Sequence, residues 1–188
     1  LKFSLASALG VGVVSYTEFV EIELAEPMEV EKAALALDAA LPRGISVLAA
    51  DAVDTHHAAL MSQAAGASYR VTLPYSKDVS AAVAEFNAAP ELLFKKAAPK
   101  TKAKFKEIDV KFYIPQLTAE QTETETIFSF DCKITPTGSM KAAELLVVLR
   151  DSFEMPLLVE KADILRTDLY AVDAEGKKKS LLKPEYIA

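Results

Sequence analysis

Hydrophobic and polar positions along the chain follow two periods, and the switches between them mark the elements. Residues 1–8 and 17–24 read as two strands, the second (TEFVEIEL) setting Phe19, Ile22 and Leu24 among glutamates, with Gly10 and Gly12 between them. After Pro27, apolar residues recur at Val30, Ala33, Ala34, Leu37 and Leu41, the three-to-four spacing of a one-sided helix over 29–41 that Pro42 and Gly44 stop. Residues 45–53 (ISVLAADAV) read as a further strand, so the first third is β-β-α-β.

The second part opens with a strand over 68–73 (SYRVTL) and a helix over 77–86 carrying Val79, Ala82, Val83 and Phe86. Residues 106–113 alternate Ile108, Val110 and Phe112, and 123–135 alternate Phe128, Phe130, Cys132 and Ile134, as half-buried strands do. Pro136, Thr137 and Gly138 turn the chain. Ser139 is the expected cap of a helix over 140–153, and a last strand spans 159–172. The order β-α-β-β-α-β is the ferredoxin-like, split-βαβ pattern with helices on one face of an antiparallel sheet. The expectation is an α+β fold: a partial, truncated ferredoxin-like half over 1–66, a ferredoxin-like half over 67–175 and a polar tail over 176–188. Because the first half lacks an opening strand and helix, and the chain begins at Leu1, further sequence upstream is expected. Residues 58–68 and 95–106 are the expected loops.

Composition narrows the chemistry. With 51% hydrophobic and 26% charged residues, the 188-residue chain has the makings of a packed core. The single cysteine, Cys132, excludes an internal disulfide, a four-thiolate zinc site and an iron–sulfur cluster held by this chain alone. A buried, inert thiol is its expected state. No apolar stretch approaches the ~18–20 residues of a membrane-spanning helix, and the start lacks a signal-peptide pattern, so the expected compartment is the cytoplasm.

The net charge of −6 argues against general affinity for nucleic acid, but the charge is uneven. Residues 1–66 hold nine acidic and three basic side chains, and the remainder is neutral overall. Within it, KKAAPKTKAKFK gathers Lys95, Lys96, Lys100, Lys102, Lys104 and Lys106 with no acid. A lysine-rich segment collects phosphates without reading bases, and Phe94 and Phe105 stand beside it for stacking. These six lysines are the candidate nucleic-acid contacts.

Other constellations read as structural. His56 and His57 are adjacent, so an extended backbone points them apart. Asp51, Asp54, His56 and Asp109 are the groups an alternative reading, an RNA- or nucleotide-modifying enzyme with a site between the halves, would use. Gly10 and Gly12 fit no phosphate-binding fingerprint, so a tight turn explains them. Tyr69 and Arg70 stand on a strand, where packing is the expectation. No metal site and no catalytic residue is assigned, and no cofactor is expected.

The segments KFSLASALGVGVVS, EFVEIEL, EPMEVEK, LPRGISVL, ASYRVTL and DILRTDLY, running to about Tyr170, resemble the radical-SAM-linked bacterial proteins of the domain of unknown function 2344. The resemblance implies an accessory role beside a radical S-adenosylmethionine protein, whose cluster the partner would carry. It also implies an extra strand and helix ahead of Lys2. The expected function is a non-catalytic module that binds RNA or a ribosome-linked partner for that enzyme. A purely structural interaction domain, marked by an apolar patch where the missing strand and helix belong, is the further alternative.

Overall fold

The computed structural model describes residues 2–53, 56–98 and 103–182. In chain order the elements are β1 (Lys2–Leu5), β2 (Val13–Ser15), β3 (Val20–Glu23), α1 (Val30–Ala40), α2 (Leu60–Gln63), β4 (Gly66–Pro74), α3 (Ser80–Ala88) and β5 (Leu93–Ala97). They continue with β6 (Phe105–Asp109), α4 (Val110–Tyr113), β7 (Leu117–Gln121), β8 (Glu125–Thr135), β9 (Gly138–Ser139) and α5 (Ala142–Ser152). A 3-10 turn (Val159–Lys161), β10 (Asp163–Val172) and β11 (Lys178–Ser180) complete them. This α+β chain divides into two compact units. The larger takes Ala8–Thr17 and Ala65–Leu169, and the smaller takes the chain up to Ser7, Glu18–Ala64 and the chain from Tyr170 on.

In the larger unit four strands lie in the order β10-β4-β8-β7, with β4 and β7 antiparallel to β8. Counted along β4-α3-β7-β8-α5-β10 the order is 4-1-3-2, a split-βαβ arrangement, but its second strand is β7 and not the segment 106–113 to which the sequence pattern assigns that place. The alternation of β4 and β8 decides which face is buried. Val71, Leu73, Phe128, Phe130 and Cys132 form one cluster with Phe86 of α3 and Leu145, Leu146 and Leu149 of α5. Each large side chain there gains about 1.5–3 kcal/mol by leaving water. Tyr69 stacks on Phe130 with ring centroids 5.5 Å apart, on the packed face as expected, whereas its neighbour Arg70 is exposed.

The smaller unit holds β1 and β3 as an antiparallel ribbon, pairing Phe3 with Ile22 and Leu5 with Val20. Helix α1 follows its apolar spacing closely. It ends where Leu41 donates its N–H to the carbonyls of Leu37 and Asp38 and Pro42 offers no further donor. The end of β10, Tyr170–Val172, pairs with β11 as a hairpin.

Several segments depart from the sequence reading. Residues 45–53 form no strand: Ile45, Leu48 and Val53 are exposed, and the Val47 N–H goes to the Asp38 carboxylate at 2.7 Å instead of a neighbouring strand. Its Ala- and Asp-rich second half has low strand propensity. The segment 106–113 breaks at Asp109, whose carboxylate accepts the Lys111 N–H at 2.9 Å and starts α4. Helix α3 starts three residues late because Asp78 accepts both the N–H and the hydroxyl of Ser80, at 2.9 and 2.6 Å. Ser139 does not cap α5. It pairs in β9 with Ile134, and the cap is formed by Glu144, whose carboxylate accepts the Lys141 N–H at 2.9 Å. Within 58–68, read as a loop, α2 occupies Leu60–Gln63, and within the polar tail Lys178–Ser180 form β11.

Candidate functional site

The lysine run is not the free loop its composition suggests. Lys95 and Lys96 lie on β5 and Lys106 on β6, strands that form an antiparallel hairpin. Its pleat sorts the side chains. Phe94 opposite Ile108 and Lys96 opposite Lys106 share one face, while Lys95 opposite Glu107 and Ala97 opposite Phe105 share the other. Phe94 and Ile108 are packed against the core, so that face is anchored and the two lysines are held beyond the apolar pair. Phe105 is 59% exposed on the opposite face. Lys104 stands at the start of the return strand with φ 58°, left-handed backbone that is strained for a lysine. Lys100 and Lys102 lie outside the described residues.

The β8–β9 turn and the start of α5 complete a hollow of about 260 Å³ lined by Lys96, Lys106, Tyr113, Ser139, Lys141 and Thr137. Gly138, with φ +127°, makes the turn possible, since L side chains rarely adopt that backbone. Lys96 is fixed in the wall. Its ammonium lies 2.9 Å from the Glu144 carboxylate and donates to the Ser139 carbonyl at 2.7 Å. The Lys96 and Glu144 side chains are 24% and 21% exposed, so this pair is screened less than a surface pair. Lys106 and Lys141 are exposed. Three lysines thus line the hollow, and one of them is paired with a carboxylate.

The segments that build this hollow, β5, β6 and the β8–α5 connection, all fall inside residues 1–144, the stretch that matches the family model described as an uncharacterised protein conserved in bacteria, DUF2344. The chain belongs to the DUF2344 family. The match ends at Glu144, short of the DILRTDLY segment that the sequence resemblance included. No curated protein and no solved structure matches the chain.

Elsewhere in this DUF2344 chain the candidate groups are tied into the fold. The Asp109 carboxylate accepts the N–H groups of Leu92 and Lys111, at 3.0 and 2.9 Å, a capping role. The Lys111 ammonium donates to the carbonyls of Phe86 and Pro115 and lies 4.4 Å from the Phe86 ring centre. Burial lowers its pKa, against the opposing pull of Asp109. His57 Nε2 meets the Gln63 amide at 3.0 Å. Asp51 lies in the irregular segment of the smaller unit, and Asp54 is outside the described residues. Among the described residues no three His, Cys, Asp or Glu side chains gather as a metal-holding group, and no helix is long and apolar enough to cross a membrane. Cys132 is 2% exposed, and burial pushes its thiol up to about 11.

Sequence reasoning found the lysines of the hairpin but not Lys141, Thr137 or Ser139. Those residues are brought to the hollow by the β8–β9 pairing, a contact without a local signal. A Pro-Thr-Gly turn just ahead of a capping Lys-x-x-Glu was the clue available.

Proposed function

We propose that this DUF2344 chain is a non-catalytic accessory module that binds RNA through the β5–β6 hairpin and serves a radical S-adenosylmethionine protein. The observation that carries the binding reading is the direct cross-strand opposition of Lys96 and Lys106, with Lys141 across the same hollow. Like charges opposed on a ladder destabilise a hairpin. Glu144 offsets one of these charges, and a bound anion would offset the other two. Lysines without arginine suit backbone phosphates better than base edges, which fits a holder of RNA more than a reader of its sequence. The accessory role is supported by the sequence resemblance and by the state of Cys132, a protonated, buried thiol unsuited to cluster ligation. The cytoplasm is the compartment this role requires.

Replacing Lys100, Lys102, Lys104 and Lys106 together with alanine tests the reading. RNA affinity falls, and the slope of log K against log salt flattens by about 3, near 0.7 for each phosphate of a single strand that the variant no longer neutralises. Fluorescence anisotropy across a salt series measures both. An unchanged affinity and slope would falsify the RNA reading.

A second reading rests on the β1–β3 ribbon. Phe3, Leu5, Val20 and Ile22 occupy one face and are 36–68% exposed, an apolar patch suited to a protein partner.

A further inference from the structure

The hollow beside the hairpin has a charge balance that selects among phosphates. Lys96, Lys106 and Lys141 contribute three positive charges and Glu144 removes one, leaving a local charge of +2. A phosphodiester in an RNA backbone carries a single negative charge, whereas a phosphate monoester carries about −1.5 to −2 near neutral pH. We infer that the hollow holds one terminal phosphate monoester, so that the module grips the phosphorylated 5′ end of an RNA strand. This rests on the RNA reading for the identity of the ligand and on the hollow alone for the identity of the charged group.

Geometry and size agree with that assignment. Lys96 is positioned before any ligand arrives, because Glu144 and the Ser139 carbonyl hold its ammonium at 2.9 and 2.7 Å. A group so held loses little side-chain freedom on binding. Lys106 stands opposite it on the ladder, Lys141 lines the same hollow, and both are exposed. Ser139 and Thr137 add hydroxyl groups to the lining. The volume of about 260 Å³ falls below the roughly 300–1,000 Å³ of pockets that enclose drug-sized ligands. That volume is on the scale of a phosphate and the sugar attached to it.

The test compares two single-stranded RNAs of one sequence, carrying either a 5′-monophosphate or a 5′-hydroxyl, by fluorescence anisotropy on the full chain. The phosphorylated strand binds about tenfold tighter, the effect of one charge-assisted hydrogen bond. That advantage shrinks below about pH 6, where the monoester takes up a proton. Lys141→Ala, outside the lysine run, abolishes the difference between the strands; a thermal melt confirms that the variant is folded. Equal binding of the two strands, with substitutions in the lysine run still weakening both, overturns the end-recognition inference and leaves the RNA reading standing. If neither strand binds, the RNA reading fails, and inorganic phosphate decides the rest. Amide chemical-shift changes at Thr137–Lys141 that disappear in Lys141→Ala retain the monoester site, and their absence overturns it. Preferential binding of a phosphoserine peptide would move the site from RNA to protein and overturn the ligand assigned here.

Discussion

Cys132 shows how one position can lose its chemistry to its surroundings. Its side chain is on the packed face of β8, its Sγ–H donates to the Met140 carbonyl at 3.3 Å, and desolvation raises its pKa from 9.0 to about 11. The sign of the linkage follows from that direction. Below pH 9 both the folded and the unfolded chain keep the thiol proton, and the stabilisation is complete. Between about 9 and 11 only the unfolded thiol ionises, so stability declines as pH rises, by about 2–3 kcal/mol in all. Urea unfolding across pH 8–11 should therefore fall more steeply for the native chain than for Cys132→Ala, which removes the titrating group. Parallel pH profiles would refute the assignment. At pH 7.5 the thiol should also resist a disulfide reagent until the chain is unfolded, because the reactive thiolate is scarce and covered.

At the level of elements, legibility tracks whether an element's own side chains decide its state. Helices α1 and α5 and strand β8 each carry one regular, less exposed face, and their apolar spacing revealed them almost to the residue. β5 and β7 were not legible, since Lys95 and Lys96 read as loop and LTAEQ carries just two apolar residues; what makes each a strand is the ladder formed with β6 or β8. β7 is also held from its outer side. The Asn87 amide donates to the Leu117 carbonyl at 2.8 Å, and its oxygen accepts the Leu117 N–H at 2.9 Å, so a side chain at the end of α3 stands in for the missing neighbour strand. Asn87→Ala leaves both backbone groups without that partner and should cost about 1–3 kcal/mol in urea unfolding. Asn87→Asp, which keeps the acceptor and loses the donor, should fall between the two. A loss below the error of the measurement for Asn87→Ala would show that water replaces the amide at no cost.

For the molecule as a whole, the β-α-β-β-α-β pattern was legible and leaves few connected arrangements, but the strand it placed second, 106–113, pairs with β5 instead, and β7 takes that position in the sheet. The lysine run was legible as a charge cluster, but its hollow was not, because Lys141 is distant in sequence and arrives through β9. The smaller unit carries an exposed apolar face. Ribbon β1–β3 sets Phe3, Leu5, Val20 and Ile22 on one face, while Lys2 pairs with Glu23 at 3.2 Å and Ser4 bonds Glu21 on the other. A two-stranded ribbon is marginal alone, and an exposed apolar face on one draws a covering surface. Phe3→Thr combined with Ile22→Thr keeps strand propensity at Ile22 through a β-branched residue and removes most of the apolar area. If this face docks a protein, the double variant should lose capture of the partner proposed above, or lose self-association in sedimentation velocity, while the unfolding free energy of the larger unit stays within about 0.5 kcal/mol of the native value. Capture and sedimentation identical to the native chain would rule out docking through this ribbon.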